Sequence, residues 1–480
     1  MYASRRFFKF VILLCCFISL WIGFGGLSFK EEPHNQNLPI KSFQQVQVLT
    51  TKTESKFNFT EYYPLIKSCN FDEKDSADYK KYFDEQNIPN DYSSPAPEKT
   101  HDMRIIRGLI FYMPLEQINY FAYEIRWLYR SWIEMQKYEP LKWRTDLIIF
   151  ANRDSDLYKD EKFILNELNC TFFNRRTSKF DKPMCTLIEY KPLKDRQIDS
   201  SKIDKYQDDY ELLLKKINIF DEKESNIEIF YSFLKTFLSN YGYVDSILVG
   251  FEGYEYFKSA GFNFLIRSDM DVFLTPLFAK WLPKKCNDFY VGRGGYSNIY
   301  NSKKLKRIAK GYGLESAEIW NLGSTWYSTP EQFRLVSYLT LFGMAALSKD
   351  EFSQPERELK LGVLLWPDWH YGVLLLYGQN LVMNHLIKTN QLNIVKLEEY
   401  MDHPSAYSTD VNKIIHIHVF HGPDLFSKFD FKDGKYDSMT VNESQTNLAK
   451  YYSLKMALEG KKFNGTELTN LLSQEIFKKI

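Results

Sequence analysis

Short apolar runs and longer amphipathic segments alternate along the middle of the chain. The run Arg107–Met113 (RGLIFYM) has the continuous apolar character of a buried strand, and Pro114 follows it. Between Ile118 and Met135 the apolar residues recur at spacings of three and four, which predicts an amphipathic helix. Asp146–Phe150 (DLIIF) is a second buried run. A strand, a helix and a strand in this order predict a parallel βαβ unit.

The same alternation predicts the remaining elements of an α/β domain. Further strands are predicted at Ser246–Gly250, Phe262–Ile266, Asp288–Val291, Gly323–Tyr327 and Lys413–Val419. Further helices are predicted at Asn226–Leu238, Tyr254–Ala260, Pro330–Leu347 and Asn447–Leu458, and a helix with a strand within Tyr158–Phe173. Thr329 and Gln332 have the spacing of a capping box, with Pro330 at the first helical position. We expect a mostly parallel sheet with the strand ending at Ile266 at its centre.

The first 101 residues differ from this domain in composition. Phe10–Phe29 is twenty residues long and carries no charge, which matches a helix that spans a bilayer. Basic residues precede it and predict that residues 1–9 form a cytosolic tail. A cleaved signal peptide is the alternative, although its apolar region is usually shorter. Residues 30–101 are polar and rich in Pro, Asn, Lys and Ser, which is typical of a stem.

The remainder divides into a domain and an extension. Residues 102–435 hold the alternating elements, interrupted by a Lys- and Asp-rich segment at 174–225 that we interpret as an insertion with a solvated face. Residues 436–480 form a polar C-terminal extension. Hydrophobic residues make up 44% of the chain, enough for a large core, and the net charge of +1 gives no reason to expect nucleic acid as a partner.

Sequons and cysteines fit an oxidising lumen. Asn-x-Ser/Thr sequons follow the apolar segment at Asn58, Asn169, Asn442 and Asn464. Outside that segment the cysteines are Cys69, Cys170, Cys185 and Cys286. They allow three pairings, and we expect the local one between Cys170 and Cys185, which are the nearest in sequence.

The segment Asn263–Leu274 (NFLIRSDMDVFL) carries two carboxylates between apolar runs. If the extended conformation continues, Asp269 and Asp271 project to the same side, because side chains alternate along a strand. Two carboxylates at the end of a strand can hold Mg²⁺ or Mn²⁺ against substrate phosphates. A bare D-x-D is common by chance, but the flanking apolar runs place this pair where ligands bind in open α/β sheets.

Three further positions have candidate chemistry. His416 and His418 share one face of the last predicted strand, and His421 follows it; this cluster indicates metal ligation, with a core histidine as the alternative. Asp368 lies at a predicted helix start, as an N-cap or as a general base. Glu318 is the second candidate for that base.

With these elements in order, the chain resembles type II Golgi glycosyltransferases of the GT-A fold. The segments FLIRSDMDVFLTP, WNLGSTWYSTPEQF, WPDWHYGVLLLYGQN and IHIHVFHG also resemble an uncharacterised eukaryotic domain family of unknown function, over roughly residues 105–435. The resemblance implies a single-pass protein of the Golgi or ER membrane whose GT-A-like domain lies in the lumen.

The resemblance also implies roles for the motif residues. Asp269 and Asp271 would hold Mn²⁺ or Mg²⁺ on the diphosphate of a nucleotide-sugar donor, and His418 or His421 would complete the metal site. Arg267, beside the aspartates, is a further candidate for the donor site.

Two other motifs carry over from the same fold. The N-x-G strand, here Asn321 and Gly323, lines the sugar and acceptor side. The end of the first strand contacts the nucleobase, which points to Pro114, Leu115 and Glu116.

The leading hypothesis is therefore a metal-dependent glycosyltransferase that transfers a sugar to a glycan, glycoprotein or lipid acceptor. A catalytically inactive binding or scaffold protein of the secretory pathway is the alternative, and metal-assisted turnover of a nucleotide sugar separates the two. A metal-dependent phosphoesterase is less consistent with the sequence, because a two-metal site needs more ligands than these motifs provide.

Overall fold

The structure is a computed structural model, which describes residues 105–140, 143–152, 164–172, 183–206, 224–283, 288–359, 368–420 and 426–477. The predicted tail, membrane anchor and stem lie outside these ranges. Across the described ranges, no helix is long and apolar enough to cross a membrane.

Eight strands form a large, mostly parallel sheet in the order β3-β4-β2-β1-β5-β8-β7-β9. Its strands are β1 (Ile105–Tyr112), β2 (Trp143–Ala151), β3 (Thr171–Phe172), β4 (Cys185–Glu189), β5 (Phe264–Arg267), β7 (Asp288–Arg293), β8 (Leu322–Ser328) and β9 (Asn393–Lys396). All neighbours are parallel except the two pairs that involve β8. The predicted α/β architecture is thus confirmed, with β5 inside the sheet and β1 and β2 beside it.

Helices cover both faces of this sheet. They are α1 (Ile118–Gln136), α2 (Ile164–Glu167), α3 (Glu224–Leu238), α4 (Asp245–Glu252), α5 (Tyr254–Ser259), α6 (Pro276–Lys280), α7 (Ile299–Gly311), α8 (Pro330–Glu351), α9 (Gln354–Leu359), α10 (Leu374–Lys388), α11 (Lys428–Lys432), α12 (Ala449–Lys462) and α13 (Gly465–Phe477). Successive residues of β1 point into different cores, because Leu109 belongs to the apolar cluster that contains Trp127 of α1 and Ile110 to the one that contains Val336 of α8. A strand buried on both faces explains the continuous apolar runs in the sequence.

A second sheet of three strands lies next to the first. It contains β10 (His403–Pro404), β11 (His416–His418) and β6 (Val272–Leu274) in that order. The strand predicted at Lys413–Val419 is present in a shorter form as β11, and it belongs to this second sheet because it pairs with β6. This antiparallel pairing places His418 opposite Val272.

Two local predictions are also wrong. Ser246–Gly250 lies within helix α4, whose residues pack against α8; a short apolar run does not distinguish a buried helix from a buried strand. The capping box at α8 does not form, although Pro330 begins the helix. The Gln332 side chain accepts a hydrogen bond from Ser328 instead, and the Thr329 hydroxyl has no hydrogen-bond partner.

The predicted insertion and extension both contribute to the domain. Residues 185–189 of the segment interpreted as an insertion form β4, which pairs with β2 inside the large sheet. Helix α12 of the C-terminal extension packs on α1, where Arg130 Nε donates to Glu459 at 2.7 Å. A disulfide joins Cys170 to Cys185, which confirms the local pairing. Cys69 and Cys286 lie outside the described residues.

Asp146 gives the fold a measurable pH dependence. It is buried in β2, accepts from the Met184 N–H at 3.0 Å and pairs with Arg144 at 3.1 Å. Burial raises the pKa of Asp146 to about 6 despite Arg144. Because the folded pKa is raised, its contribution to stability is complete below the unfolded pKa of about 3.9 and is lost as the pH rises through about 6.

We expect this loss to disappear when Asp146 is replaced by Asn. The free energy of unfolding of wild type, minus that of Asp146→Asn, should fall by roughly 2 kcal/mol between pH 4 and pH 7, from about 1.4 kcal/mol for each pKa unit. Urea denaturation at several pH values measures this difference. A difference that stays constant with pH would contradict the assignment.

Candidate metal centre

The two D-x-D aspartates lie in the turn between the large and the small sheet. Strand β5 ends at Arg267 and β6 begins at Val272, so the extended conformation does not continue through the motif. Strand alternation is therefore not what aligns Asp269 with Asp271. The turn is anchored instead, because the Asp271 carbonyl accepts from the Val419 N–H at 3.0 Å.

The turn and β11 bring three side chains together. One ligand atom from each of Asp269, Asp271 and His418 lies within 4.8 Å of the others. The Nε2 atom of His418 lies 3.3 Å from Oδ1 of Asp271. The pairing of β6 with β11 accounts for this convergence of distant segments, which we expected from the motifs.

Asp269 is the most accessible member of the cluster, with 38% of its side chain exposed. Its Oδ2 atom accepts from the Ser324 hydroxyl at 2.9 Å, and Oδ1 lies 3.3 Å from an Arg267 nitrogen. The buried Arg267 also donates to the Ser246 hydroxyl and to the Ser324 carbonyl. Arg267 therefore supports the turn from the protein interior.

Asp271 is buried between two cationic side chains. The Nζ atom of Lys428 donates to its Oδ2 at 2.7 Å, on the side opposite His418. Burial alone would raise the pKa of Asp271, but His418 and Lys428 outweigh burial and lower it. Burial alone would lower the pKa of His418, but Asp271 and Asp402 outweigh burial and raise it. Asp271 is therefore a carboxylate at neutral pH.

His416 has a structural role beside the cluster. It is buried, its Nε2 lies 2.8 Å from the Ser268 hydroxyl, and its Nδ1 accepts from the Asp402 N–H at 3.3 Å. Burial lowers its pKa to about 4. A neutral ring with the proton on Nε2 satisfies both contacts, so His416 holds the turn against the loop before β10.

Asp402 is a buried residue of the centre that the sequence patterns did not reveal. Its Oδ1 lies 3.3 Å from His418 Nδ1 and accepts from the Thr325 hydroxyl at 2.5 Å. Its backbone is left-handed, with φ of +56°. Asp402 lies in no sequence motif. Gly292 and Gly323 face it in the fold, and they are an indirect sign in the sequence that another group approaches closely.

The N-x-G residues shape loops. Asn321 has φ of +54°, and its side chain accepts from the Ser297 N–H at 2.7 Å while its carbonyl accepts from Gly294. A Cβ on Gly323 would lie 2.5 Å from Oδ2 of Asp402. The close approach that this glycine permits is therefore to a carboxylate of the same chain.

The residues predicted to contact a nucleobase follow β1. Pro114 precedes a short 3-10 turn that contains Leu115, which is buried, and Glu116, which is exposed. Glu116 forms an ion pair with Lys194. Of these residues, Glu116 has the side chain most available to a ligand.

The two candidate bases lie outside the cluster. Asp368 accepts a hydrogen bond from the Asn298 amide, and Glu318 forms an exposed ion pair with Lys306. The prediction that Asp368 caps a helix is wrong, because the side chain of His370 caps a 3-10 turn and α10 begins only at Leu374.

The sequence patterns did not indicate two more charged residues beside the cluster. Lys428 and Lys432 lie on α11, and Lys432 donates to Glu124 at 2.7 Å. Burial, assisted by Asp271, raises the pKa of Glu124 to about 7. His421, the other predicted histidine ligand, lies outside the described residues.

The fold and the cluster define an α/β protein with a candidate centre for a divalent cation. Two carboxylates and an imidazole can hold a divalent cation, and the partly exposed Asp269 gives access from solvent. Over residues 101–479 the chain matches the family described as a domain of unknown function (DUF7164), and it belongs to that family. No curated protein matches it.

Proposed function

We propose that this protein is a metal-dependent glycosyltransferase of GT-A-like fold that transfers a sugar from a nucleotide-sugar donor to a lumenal acceptor. The observation that carries the proposal is the cluster of Asp269, Asp271 and His418 directly after a central strand of a mostly parallel sheet. In open α/β sheets, ligands bind beyond the carboxyl ends of the strands.

The chain supplies the groups that such a reaction needs. Asp269, Asp271 and His418 would hold Mn²⁺ or Mg²⁺, which would neutralise the charge that develops on a departing nucleoside diphosphate. The protein itself would align donor and acceptor, and this alignment supplies much of the rate. Neither Asp368 nor Glu318 joins the cluster, so the proposal does not depend on either as a base.

A thermal-shift screen of the purified full-length protein tests this proposal. Nucleotide sugars with Mn²⁺ should raise the melting temperature, because a ligand that binds only the folded state stabilises it by mass action. The shift should require both metal and nucleotide sugar. A series in which no nucleotide sugar shifts the transition, with or without Mn²⁺, would contradict the proposal.

One observation favours an inactive binding or scaffold protein as the second candidate. The buried Lys428 ammonium pairs with Asp271 at 2.7 Å and Arg267 lies 3.3 Å from Asp269, so both carboxylates have a cationic partner without a metal ion. Such a protein would bind a nucleotide sugar without turning it over. Release of nucleoside diphosphate in the presence of Mn²⁺ and mixed acceptors separates the two candidates.

We also propose that the domain lies in the ER or Golgi lumen and is glycosylated. The sequons within the described residues are exposed, at Asn169, Asn442 and Asn464. Peptide N-glycosidase should increase the gel mobility of protein isolated from cells, and Asn→Gln replacement at each used site should reduce that shift. Asn119→Gln, an exposed position outside any sequon, is the control.

The opposite topology has a distinct result. Protein without a glycosidase shift, whose domain is digested by protease added to intact vesicles, would place the domain on the cytosolic side.

A further inference from the structure

We infer that Asp402 is a positioning residue that fixes the ring of His418 so that Nε2 faces the D-x-D carboxylates. The two ring nitrogens of His418 face different carboxylates. Nδ1 lies 3.3 Å from Oδ1 of Asp402, and Nε2 lies 3.3 Å from Oδ1 of Asp271. This inference rests on the proposed metal site.

Asp402 is itself held in one orientation. Its side chain is fully buried. Oδ1 accepts from the Thr325 hydroxyl at 2.5 Å, and Oδ2 accepts from the Thr325 N–H at 3.2 Å. A single residue of β8 therefore binds both carboxylate oxygens, and this fixes the plane of the carboxylate that His418 meets.

Two strands leave room for this carboxylate. A Cβ on Gly292 of β7 would lie 2.0 Å from Oδ2 of Asp402, and one on Gly323 of β8 would lie 2.5 Å from the same atom. Asp402 also adopts a left-handed backbone, which is uncommon for a residue with a side chain. Strained residues concentrate at functional sites, where the surrounding structure holds them in place.

The physical role follows from the two faces of the imidazole. When a metal ion takes the place of the proton on Nε2, the carboxylate 3.3 Å from Nδ1 would keep the remaining proton on that nitrogen. The same carboxylate raises the basicity of the ring and orients it. Asp402 contacts His418 and is not a member of the cluster, and it therefore positions a ligand without being one.

Titration calorimetry with Mn²⁺ alone tests the inference on the full-length protein. Asp402→Asn should weaken Mn²⁺ binding by roughly 10- to 100-fold, the usual cost of losing such a partner. Asp288→Asn, another buried carboxylate in the large sheet, is the matched control and should bind Mn²⁺ as wild type does.

A second pair of variants avoids removing the buried charge. Thr325→Val deletes the hydroxyl that binds Asp402, whereas Thr325→Ser keeps it. Thr325→Val should weaken Mn²⁺ binding several-fold, whereas Thr325→Ser should bind Mn²⁺ with wild-type affinity. Equal affinity for the two variants, together with wild-type affinity for Asp402→Asn, overturns the inference and leaves the metal site in place.

The third measurement needs no metal. In ¹⁵N-histidine-labelled, metal-free protein, the His418 ring-nitrogen shifts should change in Asp402→Asn and stay unchanged in Asp288→Asn, with His418→Gln used for assignment. Unchanged shifts in Asp402→Asn overturn the inference. If wild type binds no Mn²⁺, the proposed function fails, and this comparison alone decides whether Asp402 orients the ring.

Discussion

Replacement of Asp269 by Asn is expected to abolish Mn²⁺-dependent binding of a nucleotide sugar while the fold stays intact. The change removes one negative charge from the cluster and keeps the size of the side chain. Loss of an outer partner of a metal ligand already costs roughly 10- to 100-fold, so loss of a ligand charge should cost more than about 100-fold. Because 38% of the side chain is exposed, the melting temperature should change little.

The matched control is Glu255→Gln, an exposed carboxylate on α5 whose nearest cation is 4.0 Å away. It should bind Mn²⁺ and nucleotide sugar as wild type does. Calorimetry gives the affinities, and circular dichroism gives the melting temperatures. Wild-type affinity in Asp269→Asn would refute the metal centre and favour the scaffold protein.

Asp271→Asn should lose the same binding and should also lose stability. Its replacement leaves the buried Lys428 ammonium without its carboxylate, and breaking a buried ion pair typically costs about 3–5 kcal/mol. The contrast between the two aspartates distinguishes an effect on the cation from an effect on folding.

Gly292→Ala is expected to destabilise the protein by about 3 kcal/mol, at the upper end of the range for overpacked cores. The added methyl would lie 2.0 Å from a carboxylate oxygen of Asp402, so either the loop or the strand must move. Gly295→Ala is the control in the same segment, because no atom lies within 4 Å of its Cβ position. Urea denaturation measures both variants.

A double-mutant cycle identifies the cause of that loss. An Asp402→Ala background removes the two nearest atoms and leaves the Cβ of residue 402 at 3.2 Å, so Gly292→Ala should then cost less than about 1 kcal/mol. An unchanged cost in that background would show that the alanine acts through β7 itself and not through Asp402.

The sequence was most informative where an element is long or buried on both faces. The βαβ unit of β1, α1 and β2 was predicted because its apolar runs and helical spacing are unambiguous. Ser246–Gly250 was predicted wrongly because a helix buried on most sides loses its polar face and reads as a strand. The end of β5 was predicted to within one residue, but the extended conformation does not continue through Asp269 and Asp271, since periodicity does not show where an extended segment turns.

For the candidate site, the sequence identified the residues that belong to short motifs. Asp269, Asp271 and His418 carry such patterns, and the structure brings them together. Asp402 and Lys428 have no pattern, because their roles arise from the packing of separate segments. Glycine was a partial signal, since Gly323 was predicted to line the sugar and acceptor side but the Asp402 carboxylate that it faces is known only from the fold.

The contact between the two sheets also has a consequence for how the centre is assembled. Ser268 and His416 meet across a separation of 148 residues, and the antiparallel pairing of β6 with β11 closes the same long loop. Closing such a loop is entropically costly, and contacts of this kind form slowly. During synthesis, the D-x-D motif leaves the ribosome before β11 does. The nascent chain therefore lacks His418 at the centre until β11 emerges. A product truncated before residue 416 would retain the acidic motif without the centre, so the motif alone is a poor marker of a competent protein.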